Sequence, residues 1–208
     1  MAVAGAQTGE RYTIRQKIFK IFGNRFHIYG EGGELVGYCA QKAFRFREDI
    51  RFFTDESMGT ELFSMKARTI LDFSTTYDVA LPTGETLGSL RRKGFKSMIR
   101  DEWMVFDESG ADLGRIREDS TTAAVVRRLF EPAAMFMPQK FHVEDLSGAS
   151  KAIFRTHFNP FVYRLGITVV EEDERFDDIL ILACACLIAT IEGRQSGGSG
   201  GTGLFSGD

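Results

Sequence analysis

Thirteen consecutive residues near the C-terminus, Ile179 to Ile191 (ILILACACLIATI), are apolar or small on every helical face, and they constrain the fold of this chain more than any other segment. A helix that is hydrophobic all round must be buried in lipid or in protein. At about 1.5 Å per residue this one reaches about 20 Å, short of the roughly 20 apolar residues that a bilayer core of about 30 Å demands. Protein is therefore its expected surrounding, and no transmembrane span is expected. Asp177 and Asp178 stand where N-terminal caps belong and Gly193 where a C-terminal stop does, which predicts one bounded helix. Ile179, Leu180, Leu182, Leu187 and Ile188 are its expected core residues.

The rest of the chain reads as β. Nineteen Phe and twenty-two Gly against four Pro in 208 residues suit aromatic-rich strands separated by glycine turns. One unit recurs five times, a strand, a polar turn ending in Gly and a second strand: FHIYGEGGELVGY, RFFTDESMGTELFSM, YDVALPTGETLGSL, WMVFDESGADLGRI and FHVEDLSGASKAIF. The turn glycines are Gly33, Gly59, Gly84, Gly110 and Gly148, spaced by 26, 25, 26 and 38 residues. Glycine there supplies the positive φ of a bulged hairpin loop, so each marks a hairpin tip.

Five hairpins, a first strand over Tyr12 to Ile21 and a last one near Val162 to Val170 make about twelve strands. Closing so large a sheet removes its exposed edges. Phe44 and Phe46 alternate with Arg45 and Arg47, and Phe26 and Ile28 with Arg25 and His27, so one face is core and the other wet. A barrel of that size has a lumen too wide for strand side chains to fill, and the all-apolar helix is the object that fits it. The expected fold is thus mainly β, a closed antiparallel barrel around a buried C-terminal helix. Asp119 to Phe130 reads as one short outer helix, and residues 194–208 read as a flexible Gly/Ser tail beyond a barrel domain spanning 10–193.

This pattern resembles the tubby-like C-terminal domain superfamily, which includes tubby-like proteins, phospholipid scramblases and LURP-one-related proteins, with the last the nearest in pattern. The residues that carry it are YTIRQKIFKIFGNRFHIYGEGGELVGY, FRFREDIRFFTDESMG, WMVFDESGADLGRI and FDDILILACACLIATIE. The resemblance implies a twelve-stranded barrel around a central helix. It also implies phosphoinositide-type headgroup binding through a basic surface, as in tubby-like proteins, or calcium-linked lipid movement, as in scramblases. The chain lacks the proline-rich and cysteine-rich N-terminal region of scramblases, and a shared fold does not fix an activity.

Arg91, Arg92, Lys93 and Lys96, around Gly94 and followed by Arg100, are the candidate headgroup-binding residues, since clustered cations offer charge-assisted donors to a phosphate. The same charges also read as a solvated strand edge that discourages pairing. Arg45, Arg47 and Arg51 are a second basic group. Ahead of the helix, Asp173, Asp177 and Asp178, with Glu171, Glu172 and Glu174, lie where the scramblase resemblance would place calcium. Their spacing is not that of an EF-hand loop, and carboxylates before a helix already serve its dipole, so capping is the favoured reading there.

No catalytic residue or cofactor is expected. His27, His142 and His157 stand in strand contexts without a metalloprotease or nucleophile-elbow motif, and no phosphate-cradling glycine loop follows a strand. Cys184 and Cys186 point about 200° apart around the helix, and Cys39 has no neighbouring His, so the thiols read as buried hydrophobes. A net charge of −3 supplies no global attraction to nucleic acid. The N-terminal stretch has no basic region followed by an apolar run, so the cytoplasm, peripheral to the membrane, is the expected location. The leading expectation is a non-enzymatic module for anionic lipid headgroups; the alternatives are a soluble protein-interaction or structural role and, more weakly, a calcium-linked scramblase-like activity.

Overall fold

The computed structural model describes residues 9–17, 24–41, 49–68, 75–92, 102–119, 139–157 and 162–195. Twelve strands form a closed barrel: β1 (Tyr12–Lys17), β2 (Asn24–Gly30), β3 (Leu35–Gln41), β4 (Asp49–Phe53), β5 (Glu61–Ala67), β6 (Thr76–Ala80), β7 (Thr86–Arg92), β8 (Glu102–Phe106), β9 (Asp112–Glu118), β10 (Lys140–Asp145), β11 (Ser150–His157) and β12 (Val162–Val169). Each strand pairs antiparallel with its neighbours in the chain, and β1 closes the ring against β12, Tyr12 opposite Ile167 and Lys17 opposite Val162. The helix α1 (Asp178–Gln195) follows β12 after a 3₁₀ turn at Glu174–Phe176.

Five tight hairpin loops share one end of the barrel. β1 begins and β12 ends at that end, because Tyr12 lies opposite both Gly30, the last residue of β2, and Ile167. α1 therefore enters the lumen from the hairpin end. Asp177 caps it by accepting a hydrogen bond from the Leu180 N–H at 2.7 Å, as expected from the sequence. The expected stop at Gly193 is not one: the helix runs through it to Gln195, and a glycine inside a helix costs only about 1 kcal/mol.

The hairpin loops owe their shape to short-range polar chemistry. The Asp107 carboxylate accepts from the N–H groups of Ser109 and Ala111 and from the Ser109 hydroxyl, and Asp145 does the same with Ser147 and Ala149. Gly33, Gly84, Gly110 and Gly148 take positive φ, between 83° and 89°. In the second hairpin the left-handed residue is Met58, at φ 57°, and not Gly59. There the turn is closed by the Met58 N–H donating to the Asp55 carbonyl, as the Gly110 N–H donates to Asp107, so DESM occupies the place of DESG and Gly59 is one residue late.

Alternation along the strands turns Ile14, Phe26, Phe52, Phe63, Leu90, Trp103, Phe141 and Phe154 into the lumen, where they form one buried cluster with α1. Ala183, Cys184, Ala185, Cys186 and Ala189 keep the helix slim, and the bulky wall residues fill the ring around it. Of the expected helix core, Leu180, Leu187 and Ile188 are fully buried, whereas Ile179 and Leu182 are partly buried. No described helix is long and apolar enough to cross a membrane. The helix expected at Asp119 to Phe130, apart from Asp119 itself, and the tail from Ser196 lie outside the described residues.

Candidate functional site

Arg91 and Arg92 end β7, so strand alternation sends their side chains to opposite faces. Arg91 is exposed on the outer wall, its guanidinium 4.6 Å from the centroid of the Phe106 ring. Arg92 is on the lumen side with Leu90, and its guanidinium lies 6.0 Å from the buried Trp103 ring. The two do not form a single face. Lys93 and Lys96, with Gly94 and Arg100, lie outside the described residues, as do Arg45 and Arg47. Arg51 is bound by Asp49 at 3.0 Å and Glu61 at 3.2 Å.

Four carboxylates at the entry to α1, Glu171, Glu172, Asp173 and Asp178, are tied to the barrel. Lys151 reaches Asp145, Glu171 and Asp173 at 3.4, 3.0 and 3.2 Å. Arg11 bonds Glu172 and Asp178, and the Tyr12 hydroxyl donates to Asp178 at 2.6 Å. Burial, with that hydrogen bond, pushes the Tyr12 hydroxyl up to about 12. Asp173 is held at about 2, chiefly by the Arg175 side chain. Asp173, Asp177 and Asp178 thus serve different partners, a lysine and an arginine, a helix N-terminus, and an arginine with a tyrosine. Among the described residues no group of three or more His, Cys, Asp and Glu side chains is placed to hold a metal ion.

Each histidine has a carboxylate partner that the sequence conceals: His27 with Glu56 at 2.9 Å, His142 with Asp119 at 3.8 Å and His157 with Glu10 at 2.5 Å. The three cysteines are free and buried. Burial raises all three thiols, Cys39 to about 12, so none is a thiolate at neutral pH.

Charge is divided between the two ends of the barrel. The five hairpin loops, residues 31–34, 54–60, 81–85, 107–111 and 146–149, hold Glu31, Glu34, Asp55, Glu56, Glu85, Asp107 and Glu108, and no Lys or Arg. The three residues of each strand nearest the other end place Arg15, Arg25, Arg51, Lys66, Arg91, Arg117, Lys140, Arg155 and Arg164 on the outer wall, against Asp49, Asp78 and Glu102. This polarity is invisible in a net charge of −3, and it becomes legible only once the hairpins align the strand ends.

A family model described as LURP-one-related matches residues 36–189, from β3 into α1. The chain belongs to the LURP-one-related family. The family lies in the tubby-like and scramblase superfamily, in accord with the twelve-stranded barrel. No curated protein matches this LURP-one-related chain.

Proposed function

We propose that this LURP-one-related protein is a non-enzymatic module that docks on anionic lipid headgroups at the cytoplasmic surface of a membrane, basic end first. The observation that carries the reading is the charge division of the barrel. A molecule acidic at one end and basic at the other is oriented by a negatively charged surface, whatever its net charge. Each Lys or Arg brought near such a surface contributes about 1 kcal/mol. Arg91 stands on the outer wall near that end, with its guanidinium over the Phe106 ring, and Lys93 and Lys96 follow it in the chain. The engagement of Glu171, Glu172, Asp173 and Asp178 by Lys151, Arg11, Tyr12 and Arg175 favours this reading over a calcium-linked one.

The test is sedimentation of the full chain with vesicles of phosphatidylcholine alone, with phosphatidylserine added, or with phosphoinositide added. It is run at low and physiological salt, with and without calcium. Salt-sensitive binding to the anionic vesicles, weakened by Arg91→Ala, Lys93→Ala and Lys96→Ala and indifferent to calcium, is the expected result. Absence of binding under every condition would overturn the reading and favour a protein-interaction role.

A further inference from the structure

On β4, β5 and β9 each outer-wall cation has a carboxylate opposite or beside it. Arg117 faces Glu102 in register and bonds Glu144 at 2.9 Å, Arg115 bonds Glu144 at 3.0 Å, and Lys66 faces both Asp49 and Asp78. Four consecutive strands instead bring cations face to face. Lys140 of β10 is the direct register partner of Arg155 of β11, and Arg164 of β12 is the direct partner of Arg15 of β1. Like charges directly opposite each other destabilise a sheet. Here two such pairs stand side by side, because β10, β11, β12 and β1 are consecutive around the barrel.

Glu10 is the carboxylate built into this strip, and it is already engaged. His157 holds it at 2.5 Å, Thr13 donates to it at 3.2 Å and Arg164 lies 3.6 Å away. It is packed over Gly166, where a Cβ would lie 1.9 Å from its Oε1. Asp119, which follows β9 beside Lys140 and donates its N–H to the Lys140 carbonyl at 2.8 Å, lies 3.8 Å from His142, and Arg15 has the Tyr29 ring at 5.9 Å. Arg155 is exposed and Lys140 half-buried.

We infer that this four-strand strip is the surface that lies against anionic headgroups, with Lys140, Arg155 and Arg15 as direct contacts. Phosphate oxygens seated between the facing cations turn a repulsion into paired attractions. The shape fits a planar partner. Strands about 4.8 Å apart make the strip about 14 Å wide, and its cations stand on the convex outer wall, where a cylinder meets a plane along such a band. The inference rests on the anionic-headgroup reading above but turns the barrel from an end-first approach onto this side wall, three strands from Arg91.

The experiment compares wild type, the double variant Lys140→Ala/Arg155→Ala, Arg155→Gln and Arg91→Ala. It measures binding to phosphatidylcholine vesicles containing phosphatidylserine, and thermal unfolding. Each cation removed near the surface should weaken binding about fivefold, hence about 25-fold for the double variant. Arg91→Ala should weaken it less than the double variant does. The melting temperature should hold or rise, because a cross-strand repulsion is relieved, an outcome that a purely structural role would reverse. Wild-type binding that the double variant and Arg155→Gln retain in full would overturn the strip and leave the docking reading standing. No wild-type binding would overturn both.

Discussion

The ammonium of Lys151, on β11, lies 3.0 Å from the carboxylate of Glu171, the second residue after β12 on the way to α1. In the hairpins GELVG, GETLG and GADLG the equivalent position holds Val36, Leu87 or Leu113, and in GASKA it holds this lysine. Its side chain is only 6% exposed and also meets Asp145 and Asp173. One lysine in place of an apolar residue thus ties the β10–β11 hairpin to the segment that leads the helix into the lumen.

That tie predicts an acid limb. The Ser147 hydroxyl chiefly, with turn N–H groups and Lys151, holds Asp145 at about 2, and the Arg175 side chain chiefly, with Lys151, holds Asp173 at about 2, both against an ordinary 3.8. A carboxylate depressed in the folded state stabilises fully above its unfolded value and ceases to do so as pH falls through the folded one. The melting temperature should therefore fall between about pH 4 and pH 2. Lys151→Met should lower it at neutral pH and make the fall shallower without abolishing it. Thermal melts across that window check this, and an equally steep fall in the variant would show that Lys151 does not hold the two acids.

Met58 predicts a gain. It holds the left-handed position that glycine holds in four other hairpins, and the residue is 48% exposed, with little packing to lose. A left-handed conformation costs a residue with a Cβ roughly 1–2 kcal/mol, part of which the greater chain entropy of glycine offsets. Met58→Gly should stabilise the protein by about 0.5–1 kcal/mol. Urea unfolding should show a higher midpoint with an unchanged slope, and a lower midpoint would refute the assignment of strain.

Gly114 predicts a loss. A Cβ there would lie 2.2 Å from the Glu144 carbonyl oxygen and 2.9 Å from the ring of Phe176. The first neighbour is the backbone of β10 and the second is the buried residue just ahead of α1, so neither yields easily. Gly114→Ala should cost about 2 kcal/mol by forcing β9 and β10 apart. Hydrogen exchange should show weakened protection on the β9–β10 ladder, and protection unchanged there would contradict the close approach.

The sequence carries the fold and hides the site for one physical reason, the range of the interactions involved. Hairpins are local: the spacing of Gly33, Gly84, Gly110 and Gly148 marks their tips before any coordinate is known, and the all-apolar face of α1 requires an enclosing wall. The offset between Met58 and Gly59 escapes because it depends on which residue closes the turn. Arg11 meets Asp178 across 167 positions of chain, and His157 meets Glu10 across 147. The facing of Lys140 with Arg155, and of Arg15 with Arg164, exists only once the register is set. Arg91 and Arg92 appear as one cluster in a linear reading, and β7 separates them to opposite faces.

The enclosure of α1 can be tested on two leucines of the same helix. Leu187 is 1% exposed, ringed by the wall, whereas Leu182 is partly buried near the start of the helix. A carboxylate at Leu187 would be taken from water with no partner, a penalty of several kcal/mol that rivals the whole stability of a domain. Leu187→Asp should leave the chain unfolded, and Leu187→Ala should fold with a loss of about 3 kcal/mol from the cavity left behind. Leu182→Asp, which keeps access to water, should fold with reduced stability. Circular dichroism melts of the three variants discriminate these outcomes. A folded Leu187→Asp with ordinary stability would mean that the helix is not enclosed, because only an all-round apolar wall makes that one position intolerant of charge while its neighbour near the mouth is not.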